Sequence, residues 1–283
     1  MRHVQDGNAV PIQNRLLAAL PPRDLARLWS RLEPVELDAR QILYRAHAPI
    51  TAVHFLESGF VSLVARLERG GAIEIGIIGR EGVVGLPLAL GAESSPDEAL
   101  VQVKCRAFRL DADAFRQELD RCPALLTLLL RYECAFHAQV AQTAACNGRH
   151  AVEQRLARWL LTARDRLDTD DLPLTQDLLS TMLGVRRASV TNAIGPLQRD
   201  GVIGFSRGHV VILDRKGLER VCCECYAAVR QEYMRLQSAA ATAARTEHPM
   251  ARPGWIAIGR SWAAEAGSPN PGEAVIPGRL QRG

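Results

Sequence analysis

The segment Leu174–Ile194, LTQDLLSTMLGVRRASVTNAI, has the pattern of two short helices joined by a tight turn. Gly184 stands between the two helices, where glycine can adopt a positive φ at no steric cost. Apolar residues recur on one face of each helix at helical spacing. These are Leu178, Leu179, Met182 and Leu183 in the first helix and Val190, Ile194 and Leu197 in the second, with Val185 at the corner. The pattern predicts a helix-turn-helix whose second helix is the recognition helix.

The polar residues of the second helix have the chemistry that reads DNA. Arginine can bond guanine with two hydrogen bonds, asparagine can bond adenine in the same way, and serine or threonine can bond phosphates or bases. The outer face of the second helix carries such residues, namely Arg186, Arg187, Ser189, Thr191 and Asn192. We therefore predict that this face enters the major groove.

Upstream of this segment, a helical pattern gives way to a series of short apolar runs. Residues 12–32 carry apolar residues at helical spacing, interrupted at Pro21-Pro22. From Val35 onward, apolar runs alternate with turn residues, which is typical of a β-roll or jelly roll. Glu57–Gly59 and Arg69–Gly71 are predicted hairpin turns. The predicted strands are 41–44, 52–56, 60–65, 72–78, 100–103 and 107–110.

A long helix is predicted to follow the strands. Asp111 is the predicted cap of a short helix, and Pro123 then opens a helix that runs to about Cys146 and is broken by Asn147-Gly148. Its apolar stripe is broad enough for one side to rest on the β-roll while the other meets a partner helix, as in a coiled coil. The alternative is a helix that packs only within its own subunit. The stripe consists of Leu125, Leu128, Leu129, Tyr132, Ala135, Phe136 and Val140.

The helix-turn-helix lies between a helix and a predicted hairpin. Residues 150–167 form a strongly amphipathic helix, and the acidic loop after it is interpreted as a solvated connection. Residues 201–213 are predicted to form two strands around Arg207-Gly208, a wing on which Arg207 would position the DNA backbone. A final helix is predicted from Asp214 to about Gln237.

The predicted fold class is therefore α+β, with an N-terminal β-roll (jelly-roll-like) domain, a long dimerisation helix and a C-terminal winged helix-turn-helix domain. The predicted boundaries are 1–120 for the helix and β-roll sensor domain, 121–147 for the dimerisation helix and 148–237 for the DNA-binding domain. Residues 238–283 are rich in Ala, Pro and Gly and are predicted to form a disordered tail.

Composition limits the class of protein further. A chain of 283 residues suits two domains with an appendage, and its 47% hydrophobic residues can form their cores. The net charge of +4 is only mildly basic. No apolar run approaches the about 20 residues that a membrane span needs, and the N-terminus has no signal-peptide pattern, so we expect a cytoplasmic protein. A phosphate loop, a zinc motif and a nucleophile elbow are all missing, so the sequence predicts neither an enzyme nor a bound cofactor.

The cysteines do not form a recognisable framework. The chain has seven, an odd and scattered set that argues against a secreted disulfide scaffold. Cys222, Cys223 and Cys225 invite a metal or redox interpretation, but no second Cys/His group follows at the usual metal-ligand spacing. The sequence therefore favours a partly buried helix end at this place.

Together these elements resemble the Crp/Fnr family of bacterial transcription regulators across roughly residues 20–235. The resemblance is carried by the order of the elements, by the segment LPLTQDLLSTMLGVRRASVT from Leu172, and by LQRDGVI from Leu197. It implies a homodimeric, sequence-specific regulator of transcription that binds double-stranded DNA at a near-palindromic operator. It further implies base contacts from Arg187, Ser189 and Asn192 and phosphate contacts from Thr175 and Gln176.

The same resemblance makes RNA polymerase and a small-molecule effector candidate partners. The alternative is a ligand- or protein-binding module that uses its winged helix for protein contacts. The arginine, serine and asparagine side chains of the second helix disfavour that alternative.

The N-terminal half resembles the cyclic-nucleotide-binding roll of this family but departs from its phosphate cassette. Gly85-Leu86 stands where nucleotide-binding members have Gly-Glu for the ribose. Asp97-Glu98 stands where they have Arg-Ser for the cyclic phosphate, and carboxylates repel an anion. We therefore predict that cyclic AMP is not bound through the usual contacts, and the effector is left unassigned.

The sequence disfavours two other sensor types of the family. No cysteine precedes Cys105, so the N-terminal cysteine cluster of the iron–sulfur members is missing. His47, His54 and His137 are the candidate haem ligands, but a lone histidine is more often a surface or core residue.

Overall fold

The computed structural model describes residues 2–5, 8–68, 71–206 and 208–243. Two large hydrophobic cores organise this part of the chain. The first joins the N-terminal helices, the β-roll and the long helix, and the second joins the C-terminal helices and wing with residues from the roll. Within the described ranges, no helix combines the length and the apolar character needed to cross a bilayer.

A buried asparagine, Asn14, adds hydrogen bonds between the N-terminal segment and the roll. Strands β1 (Arg2–Gln5) and β2 (Asn8–Pro11) pair antiparallel and are followed by helices α1 (Arg15–Ala18) and α2 (Pro22–Trp29). The predicted break at Pro21-Pro22 is confirmed, because α2 begins at Pro22. Asn14 caps α1 by accepting from the Leu17 amide at 3.0 Å, and its Nδ2 donates to backbone oxygens of Leu56 and Gly82.

The predicted β-roll is confirmed as two four-stranded antiparallel sheets. One has the strand order β3-β10-β5-β8 and the other β4-β9-β6-β7. The strands are β3 (Glu33–Leu37), β4 (Ile42–Tyr44), β5 (Ala52–Leu56), β6 (Phe60–Arg66), β7 (Ala72–Ile78), β8 (Val83–Val84), β9 (Glu98–Val103) and β10 (Cys105–Asp111).

The hairpin predicted at Glu57–Gly59 was wrong. Strands β5 and β6, which this turn connects, lie in different sheets, so the turn carries the chain from one sheet to the other. Gly59 has φ +70 there, and a Cβ at this position would meet the backbone of Lys104. Strands β6 and β7 do pair antiparallel, as predicted, although residues 69–70 of their turn lie outside the described residues.

The long helix runs further than its sequence predicts. Helix α3 (Ala112–Arg121) leads into α4 (Pro123–Arg149), which continues through Asn147-Gly148 to a cap at His150. The predicted break was wrong because Gly148 sits in the last turn, where a glycine costs only about 1 kcal/mol relative to alanine. Asp111 does precede α3, but its side chain makes no capping bond and instead accepts from Arg109.

The C-terminal half has the predicted winged helix-turn-helix order. Strands β13 and β12 form a hairpin, with β11 added at the edge of β13. The elements are α5 (Val152–Leu167), β11 (Asp171–Leu172), α6 (Gln176–Leu183), α7 (Arg187–Arg199), β12 (Ile203–Ser206), β13 (His209–Ile212), α8 (Arg215–Val221) and α9 (Cys225–Ala243).

The single final helix predicted from Asp214 was also wrong. Cys222 adopts an extended conformation that ends α8, and a separate helix, α9, begins at Cys225. Helix α9 then extends through the first residues of the predicted tail to Ala243. Residues 244–283 lie outside the described residues, so the prediction of disorder there stays a prediction.

Helix α9 packs along α4 within the same chain. The rings of Tyr132 on α4 and Tyr233 on α9 lie 6.3 Å apart, and Tyr233 and Leu236 are both buried in the first core. One flank of α4 is therefore covered by its own chain, and the flank that faces away from α9 and from the roll is left as the candidate dimer surface.

The roll and the helix-turn-helix domain share a polar cluster inside the second core. Glu74 on β7 is buried and accepts hydrogen bonds from the Ser62 hydroxyl and, at 2.7 Å, from Trp159 Nε1 on α5. Burial raises the pKa of Glu74 to about 7, and the two hydrogen bonds and the nearby charges of Arg158 and Arg166 only partly oppose this effect.

The first helix of the helix-turn-helix rests directly on the roll. The sulfur of Met182 accepts from Gln102 Nε2 at 3.4 Å and lies 3.6 Å from Ser62 Oγ, whose proton goes to Glu74. The turn after α6 is equally close, since a Cβ at Gly184 would collide with the side chain of Ile73. Helix α6 is thus held by strands β6, β7 and β9.

Candidate DNA interface and effector cavity

The helix-turn-helix is built by a cap at each end of α6. Thr175 precedes the helix and its Oγ1 accepts from the Leu178 amide at 3.1 Å, as an N-cap threonine does. Gly184 ends the helix with φ +61, the left-handed conformation predicted for it. Because the turn is this tight, α7 begins only two residues later, after Val185 and Arg186.

Most of the predicted DNA-contacting side chains lie on one open surface. Arg186, Arg187, Thr191 and Asn192 are exposed on α7 or at its start, and Thr175 is exposed at the start of α6. Two of the predicted residues are half-buried, Ser189 on the flank of α7 and Gln176 at the start of α6. The inward residues predicted for α7, Val190, Ile194 and Leu197, are all buried.

Gln176 connects the two helices of the motif. Its Oε1 accepts from Arg187 Nε and from Thr191 Oγ1, each at 3.3 Å. Asp177 lies beside them, with 3.4 Å between its Oδ1 and Arg187 Nη1. The fold therefore brings three predicted contact residues, Gln176, Arg187 and Thr191, into one hydrogen-bonded group.

Sequence reasoning missed three residues of this surface. Asp177 was missed because a carboxylate alone repels phosphate, and only the fold shows that it holds Arg187. Ala188 is exposed and Gly195 half-exposed, and they share a face with Thr191 and Asn192 at helical spacing. An alanine methyl can contact the thymine methyl group in the major groove, and a glycine lets another backbone come close.

The predicted wing lies close to the start of α6. A Cβ placed on Gly208, which has φ +82 at the wing tip, would lie 3.4 Å from Thr175 Cγ2. His209 Nδ1 is 2.9 Å from Asp171 Oδ1, which ties the wing to β11. Arg207 lies outside the described residues, so its predicted backbone contact stays a prediction.

A cavity of about 170 Å³ lies between the roll and α4. Ligand pockets commonly measure about 300–1,000 Å³, so this one is small. Its lining includes Gly85 and Leu86 at the tip of a turn and the rings of Tyr132 and Phe136 on α4. The lining residues are Tyr44, Leu63, Ile75, Ile78, Val83, Gly85, Leu86, Pro87, Leu90, Ser95, Asp97, Tyr132, Glu133 and Phe136.

The charge of this cavity is wrong for a phosphate. Asp97 faces it and is bonded by Ser95 Oγ at 2.5 Å, and Glu133 contributes a second carboxyl group. Glu98 points elsewhere, to ion pairs with Arg66 at 2.5 Å and Arg45 at 3.6 Å. Within the described residues, no lysine or arginine lines the cavity, so nothing there would neutralise a cyclic phosphate.

We expect isothermal titration of the intact protein with cyclic AMP to give no saturable heat, because Asp97 and Glu133 would repel the phosphate. An Asp97→Ala variant serves as the matched control for that repulsion, and it should still lack the arginine that a cyclic phosphate needs. A dissociation constant in the micromolar range for the unaltered protein would contradict the prediction.

The three candidate haem ligands are far from equivalent in the structure. His47 lies in an exposed turn at φ +62, and His137 is exposed on α4. His54 is buried in β5, its Nδ1 has no hydrogen-bond partner among the described residues, and burial lowers its pKa to about 4. A buried neutral imidazole packed in a strand is the arrangement of a core residue.

The fold brings a Cys/His pair from a distant part of the chain to the C-terminal cysteines, although no such pair follows them at the usual metal-ligand spacing in the sequence. The last turn of α4 places Cys146 and His150 beside Cys223 and Cys225, and the four ligand atoms lie within 4.8 Å of one another. Sequence reasoning missed the cluster because 77 residues separate Cys146 from Cys223.

Comparisons with known proteins agree with this architecture. A model of the cyclic nucleotide-binding domain matches residues 34–122, and a model of the Crp-like helix-turn-helix domain matches residues 154–221. No curated protein matches the chain.

Solved structures with the same fold include FixK2 from Bradyrhizobium japonicum, with 17% identity and a TM-score of 0.59, covering 68% of this chain and 98% of that one. TTHB099, a CRP-family transcriptional regulator from Thermus thermophilus, has 20% identity and a TM-score of 0.56, covering 66% and 95%. The c-di-GMP responsive global regulator CLP from Xanthomonas campestris has 16% identity and a TM-score of 0.55, covering 68% and 99%.

The two domain models, in this order and on this fold, define the class of the protein. The chain belongs to the Crp/Fnr family of transcription regulators and carries a cyclic nucleotide-binding-like domain and a helix-turn-helix DNA-binding domain.

Proposed function

We propose that the protein is a homodimeric, sequence-specific regulator that binds a near-palindromic operator and acts in the cytoplasm. The open surface of α7 is the observation that carries this proposal. Arg187 and Asn192 have the side chains that read guanine and adenine, and both are exposed on the helix that the motif presents to the major groove.

The dimer would form along the flank of α4 that its own chain leaves uncovered. Seven residues there are exposed or half-exposed and follow one another at alternating steps of three and four, the spacing of a coiled-coil seam. None of them is an acidic residue, a lysine or an arginine, and several are small enough for two helices to approach closely. They are Thr127, Leu130, Cys134, His137, Ala141, Ala144 and Gly148.

In such a dimer the recognition helices would enter two major grooves about 34 Å apart, one helical turn of DNA. Arg186, Arg187 and Asn192 would make base or phosphate contacts. Thr175, Gln176 and Arg207 would position the DNA backbone. A base-reading Arg187 would have to exchange its contacts with Gln176 and Asp177 for contacts with DNA.

The effector would act through the roll. A ligand at the cavity beside α4 would change the pairing of the two α4 helices, and with it the separation of the recognition helices. The contact of Met182 with Ser62 and Gln102 offers a second, direct route from the roll to α6. RNA polymerase is the further partner that the family suggests.

Replacing Arg187 by alanine tests whether the open surface of α7 reads bases. We expect the affinity for the cognate operator to fall by about 5- to 150-fold, the equivalent of 1–3 kcal/mol, because a bidentate base contact is lost. The measurement is a mobility-shift titration on an operator selected from random DNA, with scrambled DNA of the same length alongside.

Arg116→Ala on α3 of the roll removes the same charge away from the motif and should leave both affinities unchanged. An equal loss on operator and scrambled DNA for Arg187→Ala would mean that Arg187 touches only phosphate. If the unaltered protein selects no DNA, the winged helix serves protein contacts instead.

A further inference from the structure

The four-residue Cys/His cluster joins two distant parts of the chain. Cys146 and His150 are one helical turn apart on the same face of the last turns of α4. Cys223 lies in the break between α8 and α9, and Cys225 is the first residue of α9. Cys146, Cys223 and Cys225 are buried, form a small core of their own, and are free thiols.

The spacing of the ligand atoms suits a tetrahedral metal ion. Sulfur ligands at about 2.3 Å and nitrogen at about 2.05 Å from zinc lie about 3.8 Å (S–S) and about 3.6 Å (S–N) from one another in a tetrahedron. Here the Sγ atoms of Cys146 and Cys223 are 3.5 Å apart, and Cys225 Sγ is 3.5 Å from His150 Nδ1. Only small side-chain shifts would separate this arrangement from a coordinated one.

We propose that Cys146, His150, Cys223 and Cys225 form a structural Cys₃His site that binds one Zn²⁺ per chain. Three thiolates and one imidazole close all four positions, which is the ligand set of structural rather than catalytic zinc. The ion would crosslink the end of α4 to the start of α9. It would thus connect the segment that enters the DNA-binding domain with the helix that follows its wing.

The surroundings of the histidine support a metal ligand. His150 presents Nδ1 to Cys225, while its Nε2 lies 3.3 Å from Glu224 Oε1. A carboxylate on the far ring nitrogen is the usual partner of a zinc-bound histidine, because it fixes the tautomer and the ring orientation. Gln142 Nε2 likewise donates to Cys225 Sγ at 3.0 Å, a bond that suits a thiolate acceptor.

The charge balance of the site also fits. Three thiolates with one Zn²⁺ carry a net charge of −1, which needs a nearby cation if it is buried. Arg155 and Arg158 on α5 are buried and close enough to the cysteines to interact with them electrostatically. Their Nε atoms have no hydrogen-bond partner within the part of the chain that the structure describes.

The test uses the full chain, purified under reducing conditions without a polyhistidine tag. We expect one equivalent of zinc per chain by plasma mass spectrometry. The metal-free protein, titrated with Co²⁺, should develop the intense visible absorption of tetrahedral cobalt–thiolate, which Zn²⁺ then abolishes. This titration needs no variant, so it stands even if a variant fails to fold.

Variants of two proposed zinc ligands and of one neighbouring cysteine complete the experiment. Cys223→Ser and His150→Ala should lose most of the bound zinc and show a weakened cobalt spectrum. Cys222→Ser is the matched control, because this thiol is adjacent in sequence but donates to the Cys223 carbonyl instead of joining the cluster. Cys222→Ser should retain a full equivalent of zinc.

Three results would overturn the proposal. The first is neither zinc nor a cobalt spectrum in the unaltered chain, and the second is full zinc content in both ligand variants. The third is a disulfide between Cys146 and Cys223, found by peptide mapping of protein kept reduced during purification.

Discussion

Ala141→Arg is expected to turn the dimer into a monomer and to lower the affinity for an operator with two half-sites by about 10²- to 10⁴-fold. The size of the loss follows from bivalent binding, in which the second recognition helix binds at a high effective concentration once the first is in place. Analytical ultracentrifugation would give the oligomeric state and a mobility shift the affinity.

The physical reason lies in the exposed seam of α4. Ala141 and Ala144 are exposed and small, so two such helices could approach closely at this level of the seam. An arginine at position 141 would place a bulky charge against its own copy across the two-fold axis. The long side chain would also have to be desolvated for the helices to stay in contact.

Ala145→Arg provides the matched control, since Ala145 is the same residue type on the same helix and is exposed outside the seam. It should leave the dimer and the operator affinity unchanged. A dimer that survives Ala141→Arg at micromolar concentration would place the interface somewhere other than this flank of α4.

Glu74→Gln is expected to stabilise the protein by as much as about 3 kcal/mol at pH 8 and to have little effect at pH 5. Burial raises the pKa of Glu74 to about 7 from a usual value of 4.5. Each pKa unit corresponds to about 1.4 kcal/mol of difference between the two protonation states. A glutamine has the same shape and can still accept from Trp159.

The direction of the pH dependence follows from how tightly the folded and the unfolded protein each hold the Glu74 proton. The folded protein holds the Glu74 proton more tightly than the unfolded chain, so the unfolded state loses its proton first as the pH rises. The stability of the unaltered protein should therefore decline from about pH 4.5 to about pH 7 and stay at the lower level above it. The glutamine variant has no carboxyl group at this position, so its stability should not show this decline.

Urea unfolding at both pH values measures the effect. Glu93→Gln serves as the control, because the Glu93 side chain is 86% exposed and its one ion pair in the described part of the chain, with Arg116, is long. It should change the free energy of unfolding by much less at either pH. An equal gain for Glu74→Gln at pH 5 and pH 8 would mean that its carboxyl group does not titrate in this range.

The helix-turn-helix could be predicted closely because its signals are local. The apolar spacing of α6 and α7 and the turn glycine Gly184 lie within a few residues of what they determine. Strands β5 and β7 were predicted to the residue for the same reason, since turn residues bound each apolar run.

The features that were mispredicted depend on contacts far along the chain. Whether Glu57–Gly59 makes a hairpin or a crossing between sheets is decided by the strands that pair with β5 and β6. The cysteine cluster requires two helices to meet across 77 residues. The half-buried position of Ser189 likewise depends on how α7 packs, and its predicted base contact stays a prediction.

The contact of Met182 with the roll allows a signal to pass from DNA to the roll as well as from the roll to DNA. Coupling free energies are reciprocal. If a ligand in the roll changes the affinity for DNA by some factor, DNA must change the affinity for that ligand by the same factor. If operator binding moves α6, the sulfur of Met182 withdraws from Ser62 and Gln102, two neighbours on the sheet. An operator fragment would then act as an effector of the sensor domain, and ligands could be screened by how strongly DNA changes their binding.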